Sequence, residues 1–128
     1  MHYLDVMIII LEIVKDNPNI QFQELLYKSQ EYLEVQKIIK SGQDNQVLIR
    51  QFLDLSENLI DEGFINGQFI ATKDKPVALF NHLTSLGYLF LEKNQKPDFK
   101  TKVKTILKEQ GISTNFKDIT RAIAQLFL

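Results

Sequence analysis

The chain contains no cysteine, and it has only three prolines and five glycines among its 128 residues. Without cysteine there is no disulfide, no thiolate zinc site, no iron–sulfur cluster and no cysteine nucleophile. Because disulfides accumulate in oxidising compartments, the cytoplasm is the predicted location. Positive charge is also scarce, since 15 Lys and Arg stand against 16 Asp and Glu, which excludes a protein that is basic throughout. A nucleic-acid binder of this composition would need its cations gathered in one region.

Long apolar runs are missing as well. The first run, Val6 to Leu11, is short and is bounded by Asp5 and Glu12. A membrane span needs about 20 apolar residues, and a secretory signal begins with basic residues. The sequence therefore predicts a soluble cytoplasmic protein without a membrane partner. Its length suits a single domain with a substantial core.

Catalytic and metal-binding motifs are also absent. The two histidines, His2 and His82, are far apart in the sequence, and the glycines are scattered singly. No zinc-protease, calcium-loop, phosphate-loop or serine-hydrolase motif occurs. Asp54 and Glu57 could pair as acid and base, but an exposed acidic helix face explains them more simply. The sequence predicts no enzyme, no metal, no cofactor and no small-molecule ligand.

Apolar residues recur at helical spacing over most of the chain, and at a spacing of two between residues 64 and 83. The pattern predicts helices over 4–15, 45–62, 85–94, 98–110 and 116–127, and strands over 64–70 and 77–83. Asn66-Gly67 marks a turn or a bulge in the first strand. Residues 21–40 form either one bent helix or two.

Three helical segments followed by a hairpin is the order of a winged helix-turn-helix domain. In such domains the third helix enters the DNA major groove, and the hairpin, or wing, approaches the backbone. The predicted fold is mainly α with a small β-hairpin, a winged helix-turn-helix with extra C-terminal helices. We assign residues 1–94 to the winged-helix domain and 95–128 to a C-terminal helical extension packed on it.

The segment after the predicted wing carries a Leu-Thr-x-x-Gly-x-x-x-Leu motif, formed by Leu83, Thr84, Gly87 and Leu91. This motif resembles the entry to the helix after the wing in several small bacterial winged-helix families. One of them, a family of unknown function spread through bacterial and phage genomes, continues with an aromatic residue, spaced lysines and a Leu-Lys-x-x-Gly end. The corresponding residues here are Phe99, Lys100, Lys102, Lys104, Leu107, Lys108 and Gly111.

The resemblance covers roughly residues 45–128 and is weak before them. It departs at Phe99, where the family would have tryptophan, and in residues 30–42, which look like an insertion. The resemblance implies a winged-helix fold and implies no activity, because the family has none assigned.

Charge is segregated along the chain. Residues 1–62 hold 11 acidic and 5 basic side chains, residues 63–91 hold 1 and 2, and residues 92–128 hold 4 and 8. The corresponding net charges are −6, +1 and +4. Phosphate neutralisation dominates DNA affinity, so the half that contains the expected recognition helix is the poorer half for this purpose.

Asn45, Gln46 and Arg50 nevertheless stand in the first turns of the predicted recognition helix, where base contacts are made. Asn and Gln suit adenine, and Arg suits guanine. The alternative is that Asn45 and Gln46 are polar surface next to a helix cap.

Four lysines complete the predicted DNA contacts. Lys73 and Lys75 lie at the tip of the wing, where they suit phosphates, although a solvated turn would also contain them. Lys100 and Lys104 share one face of a later helix and could form a basic patch. That face could equally be the solvated side of an amphipathic helix.

Two functions follow from these patterns. The first is a DNA-binding protein that contacts double-stranded DNA, either a transcriptional regulator or an accessory factor of a phage or mobile element. The second is a winged-helix module for protein–protein interaction without nucleic acid. A homodimer fits this second function, because residues 4–15 are apolar around most of the helix circumference.

Overall fold

The computed structural model describes residues 3–70, 77–96, 98–109 and 116–125. These residues are mainly helical with a small antiparallel sheet, which confirms the predicted fold class. The elements in chain order are α1 (Tyr3–Asp16), β1 (Ile20–Gln21), α2 (Phe22–Ser29), α3 (Leu33–Lys40), α4 (Asn45–Asp61), β2 (Ile65–Ile70), β3 (Val77–Leu83), α5 (Ser85–Asn94), α6 (Phe99–Glu109) and α7 (Phe116–Gln125).

Residues 21–40 form two helices rather than one bent helix. The chain leaves α2 through a turn in which the amide of Tyr32 donates to the carbonyl of Ser29 at 3.1 Å. Tyr32 then takes an extended conformation as the N-cap of α3. Helix α3 therefore occupies the segment that departs from the family resemblance, and it is held to the core by buried Val35.

The sheet has three strands in the order β1-β3-β2, one more strand than the predicted hairpin. Strand β1 pairs Ile20 with Phe80 and Gln21 with Leu79. Strands β2 and β3 pair along their length, with a register shift between Asn66 and Gly67. The extra residue is Asn81 of β3, so Asn66-Gly67 lies opposite a bulge in the neighbouring strand and does not form a turn. A Cβ at Gly67 would lie 2.3 Å from the carbonyl oxygen of Leu79, so a larger residue would push the strands apart there.

Helix α1 is the centre of the core, as its nearly continuous apolar sequence predicts. Its buried residues are Leu4, Val6, Met7, Ile9, Ile10, Leu11, Ile13 and Val14. The helix packs against α2, α4, α5 and β3, so its apolar circumference is covered within one chain. Residues Asn17 to Asn19 then turn the chain into β1, with Asn19 in the left-handed region at φ 61°.

Helix α4 has a well-defined beginning and end. The carboxylate of Asp44 accepts a hydrogen bond of 2.9 Å from the amide of Gln46 and caps the helix. At the other end Gly63 has φ 84°, the left-handed conformation that favours glycine at a helix C-terminus. The chain then enters β2 after a short turn, so the end of α4 sets where the β2–β3 hairpin begins.

The Leu-Thr-x-x-Gly motif connects the start of α5 to the turn between α4 and β2. The hydroxyl of Thr84 donates to the carbonyl of Gly63 and accepts from the amide of Gly87, which caps α5. A Cβ at Gly87 would lie 2.3 Å from the carbonyl oxygen of Phe64. The motif residues therefore serve the packing of α5 against the end of α4.

The C-terminal helices extend the core. Phe90 of α5 makes edge-to-face contacts with Phe64 and Phe99, with ring centroids 5.9 and 5.7 Å apart. Helix α6 packs on α5 and α7, and α7 packs on α4. On α7, Ile123 is fully buried, and Arg121 Nε lies 3.2 Å from Glu62 Oε1.

Candidate nucleic-acid interface

The first two turns of α4 present the three residues that were predicted to contact bases. Asn45, Gln46 and Arg50 are all exposed on this part of the helix. Val47 lies between them and is 46% exposed, unusually high for a large apolar side chain. Amides, a guanidinium and a methyl-bearing side chain therefore share one solvent-facing end of α4.

The second half of the same helix is acidic. Asp54 and Glu57 are half-buried and Asp61 is exposed, and all three follow Arg50 at helical spacing. With a rise of 1.5 Å per residue, Asp61 lies about 16 Å from Arg50 along the axis. The exposed face of α4 thus changes from positive to negative along its length.

Two cations outside the predicted set of DNA contacts lie next to the first turn of α4. Lys37 and Lys40 are exposed on the last turn of α3, just before the short connection to α4. Ile39 on that turn and Asn45 on α4 line the same cleft, so the two turns are neighbours. Lys37, Lys40 and Arg50 outnumber Glu34 and Asp44 by one over residues 33–50, so this end of α4 carries a small positive excess.

In the described part of the chain, the four lysines predicted to contact DNA do not come together at the start of α4. Lys73 and Lys75 lie outside the described residues. Lys100 belongs to α6, but its side chain also lies outside the described part. Lys104 is exposed on α6, and α6 packs mainly on α5 and α7. No extensive contact among the described residues brings Lys104 to the first turn of α4.

The described residues offer little in the way of catalytic or metal-binding side chains. His82 is exposed, with Nδ1 at 2.9 Å from the carbonyl oxygen of Leu83. The described ranges contain no group of three or more His, Asp or Glu placed to hold a metal ion. Among the helices in these ranges, none combines the length and the apolar character that crossing a membrane requires.

The described residues form a mainly helical fold in which four helices and strand β1 precede the β2–β3 hairpin, an order compatible with a winged helix-turn-helix that carries one extra helix before the hairpin and three helices after it. Comparison of the chain with protein-family models, with curated proteins and with solved structures gave no match.

Proposed function

We propose that the chain is a winged-helix DNA-binding protein, a transcriptional regulator or a phage or mobile-element accessory factor, whose α4 enters the major groove of double-stranded DNA. The observation that carries the proposal is the joint exposure of Asn45, Gln46 and Arg50 on the first turns of α4. Amide side chains pair with adenine and Arg with guanine, and the exposed Val47 can contact a thymine methyl group.

The charge pattern favours one orientation on the duplex. Arg50 lies in the first turns of α4, and Lys37 and Lys40 lie on the last turn of α3 beside them, where these three cations can neutralise phosphates on the edges of the groove against the one carboxylate of Asp44. Asp54, Glu57 and Asp61 lie farther along the helix, and their negative charge repels phosphates. DNA is therefore expected to approach the N-terminal end of α4. Recognition helices usually insert their N-terminal residues, and the same geometry keeps the acidic half away from the backbone.

A binding selection on the full chain tests the proposal. Duplexes that bind are recovered from a randomised pool at low salt, and their affinity is measured by fluorescence anisotropy. Arg50→Glu is expected to weaken binding at least about tenfold, because it removes one cation and adds an anion in the groove. Lys15→Glu is the matched control, since Lys15 is exposed on the last turn of α1.

The proposal fails if no duplex binds at low salt while circular dichroism shows a folded protein. It also fails if Arg50→Glu and Lys15→Glu reduce affinity equally, because the binding would then report only overall charge.

A second function, self-association through α2 and α3, is favoured by one observation. Tyr27 is 74% exposed and Leu33 is 60% exposed, both far more than large apolar side chains usually are. A second copy of the chain would cover them. Sedimentation velocity tests this function: a concentration-dependent dimer that Tyr27→Ser with Leu33→Ser abolishes supports it, and a strict monomer excludes it.

A further inference from the structure

A cleft of about 330 Å³ opens between α2, α3 and α4. The residues that line it come from all three helices, and they are Gln23, Leu26, Tyr27, Ser29, Gln30, Val35, Ile39, Asn45, Leu48, Ile49 and Phe52. Its volume falls at the small end of the roughly 300–1,000 Å³ that ligand sites occupy. The cleft lies beside the proposed base-reading residues, but most of its lining is not among them.

The floor of the cleft belongs to the hydrophobic core. Val35, Leu48 and Phe52 are 1%, 6% and 0% exposed, although each lines the cleft. These three side chains are largely covered, so the apolar surface that a ligand meets comes mainly from Leu26, Tyr27, Ile39 and Ile49, which are partly or fully exposed.

In the part of the chain that the structure describes, the lining offers a ligand no charged side chain. Among the described lining residues there is no Asp, Glu, Lys, Arg or His. An ion entering the cleft would lose its hydration and find no opposite charge. The polar groups are the side-chain amides of Gln23, Gln30 and Asn45 and two hydroxyls.

One of those hydroxyls is fixed in its role. Ser29 is 2% exposed, and its Oγ donates a hydrogen bond of 2.6 Å to the carbonyl oxygen of Leu26. Its proton is therefore engaged, and its oxygen keeps acceptor capacity for an N–H or O–H group of a ligand. An apolar floor with a few hydrogen-bonding groups is the usual composition of a small-molecule site.

We propose that this cleft binds a small, uncharged, apolar molecule of one or two rings that carries a hydrogen-bond donor. This departs from the sequence-based expectation of no small-molecule ligand, because the cleft forms only when α2, α3 and α4 come together. Ligand binding itself does not depend on DNA. An effect of the ligand on DNA affinity rests on the proposed function, through Asn45 and Ile49 of α4.

Indole is the probe for the test, since it is a neutral two-ring molecule with one N–H donor. Backbone amide chemical shifts of the full chain are recorded as indole is added in the absence of DNA. The shifts are expected to concentrate on the lining residues. Tryptamine, which adds a positive charge to the same ring, is expected to bind at least about tenfold more weakly, because the described lining holds no carboxylate and Lys37, Lys40 and Arg50 lie nearby.

A filling variant separates this site from others. Ile39→Trp places a ring at the mouth of the cleft and is expected to weaken indole binding at least about tenfold. Ile39 and Val77 are both 40% exposed, so Val77→Trp on β3 is a matched control expected to leave the affinity unchanged. Neither change removes a buried side chain.

Several outcomes would overturn the proposal. These are no shifts at millimolar indole with a folded protein, shifts outside the cleft, equal binding of tryptamine, or equal binding by Ile39→Trp. Ile39→Trp altering sedimentation without any indole binding would assign the cleft to a second copy instead. Indole binding that persists in Arg50→Glu, together with lost DNA binding, would show that the two sites are independent.

Discussion

The hydroxyl of Tyr32, at the start of α3, donates a hydrogen bond of 3.0 Å to Oε2 of Glu12 on α1. Both side chains are half-buried, and the bond joins an otherwise peripheral helix to the central one. Because α3 carries Lys37 and Lys40, this bond also helps to set where those cations lie relative to α4. Partial burial, and then the carboxylate of Glu12, raise the pKa of Tyr32 above its ordinary value of 10.0.

Tyr32→Phe should lower the free energy of unfolding by about 1 kcal/mol, because it leaves Glu12 without its donor while keeping the ring. Urea denaturation followed by circular dichroism measures the change. Glu12→Gln retains an acceptor and should cost less. A Tyr32→Phe variant as stable as the wild type would show that the bond contributes nothing net.

The contribution of Tyr32 should depend on pH in one direction. Its pKa is higher in the folded state than in the unfolded chain, so its contribution is complete below pH 10.0 and falls as the pH rises above that value. The stability difference between the wild type and Tyr32→Phe should therefore be constant at neutral pH and shrink in strongly alkaline solution. A difference that grows with pH would contradict the raised pKa.

Gly87→Ala should destabilise the protein by about 1–3 kcal/mol. The new methyl group would overlap the carbonyl of Phe64 and force α5 away from the turn between α4 and β2. A Cβ at Gly87 would lie 2.3 Å from the carbonyl oxygen of Phe64, which is a backbone atom and cannot rotate aside. Ser85→Ala, at an exposed position in the first turn of the same helix, is the control and should change stability by no more than about 0.5 kcal/mol. Equal thermal midpoints for the two variants would refute this account of the motif.

Lys37→Gln and Lys40→Gln should each reduce the salt dependence of DNA binding. A cation that neutralises one phosphate contributes about 0.9 to the slope of log affinity against log salt. Each variant should lower the slope by about that amount and weaken affinity similarly for all sequences. An unchanged slope in both would remove α3 from the interface, even if Arg50→Glu abolishes binding.

Helix α7 should be held to α4 by apolar packing more than by its ion pair. Ile123 is 0% exposed, so Ile123→Ala should cost about 2–4 kcal/mol through the cavity that it leaves. The Arg121 side chain is 50% exposed, so Arg121→Ala should cost at most about 1 kcal/mol in low salt and less in high salt. Amide hydrogen exchange in α7 would report both, and a larger effect from Arg121→Ala would reverse this ranking.

Long periodic segments were predictable from the sequence, whereas β1 was not. The patterns over 4–15, 45–62 and 77–83 match α1, α4 and β3 to within a residue at each end. Strand β1 has two residues, too few for any alternation to be visible, and its hydrogen bonds come from β3, about 60 residues away. Its formation is a tertiary event, so local spacing carries no sign of it.

The candidate interface was predictable only where it lies on one helix. Asn45, Gln46 and Arg50 follow from the position of α4, and the structure places all three on its exposed start. Lys37 and Lys40 were missed because their helix lies in residues that departed from the family resemblance. Their relevance appears only when the last turn of α3 lies beside α4.

The bulge at Asn81 has a consequence beyond the shape of the wing. Strand β2 is at the edge of the sheet in the described part of the chain, and such an edge can template a foreign strand. Because the extra residue lies on the central strand β3, opposite Asn66 and Gly67, it increases the local twist of the β2–β3 pair. A straight foreign strand would follow a twisted edge for only part of its length, which disfavours fibre growth through the sheet when the protein is concentrated.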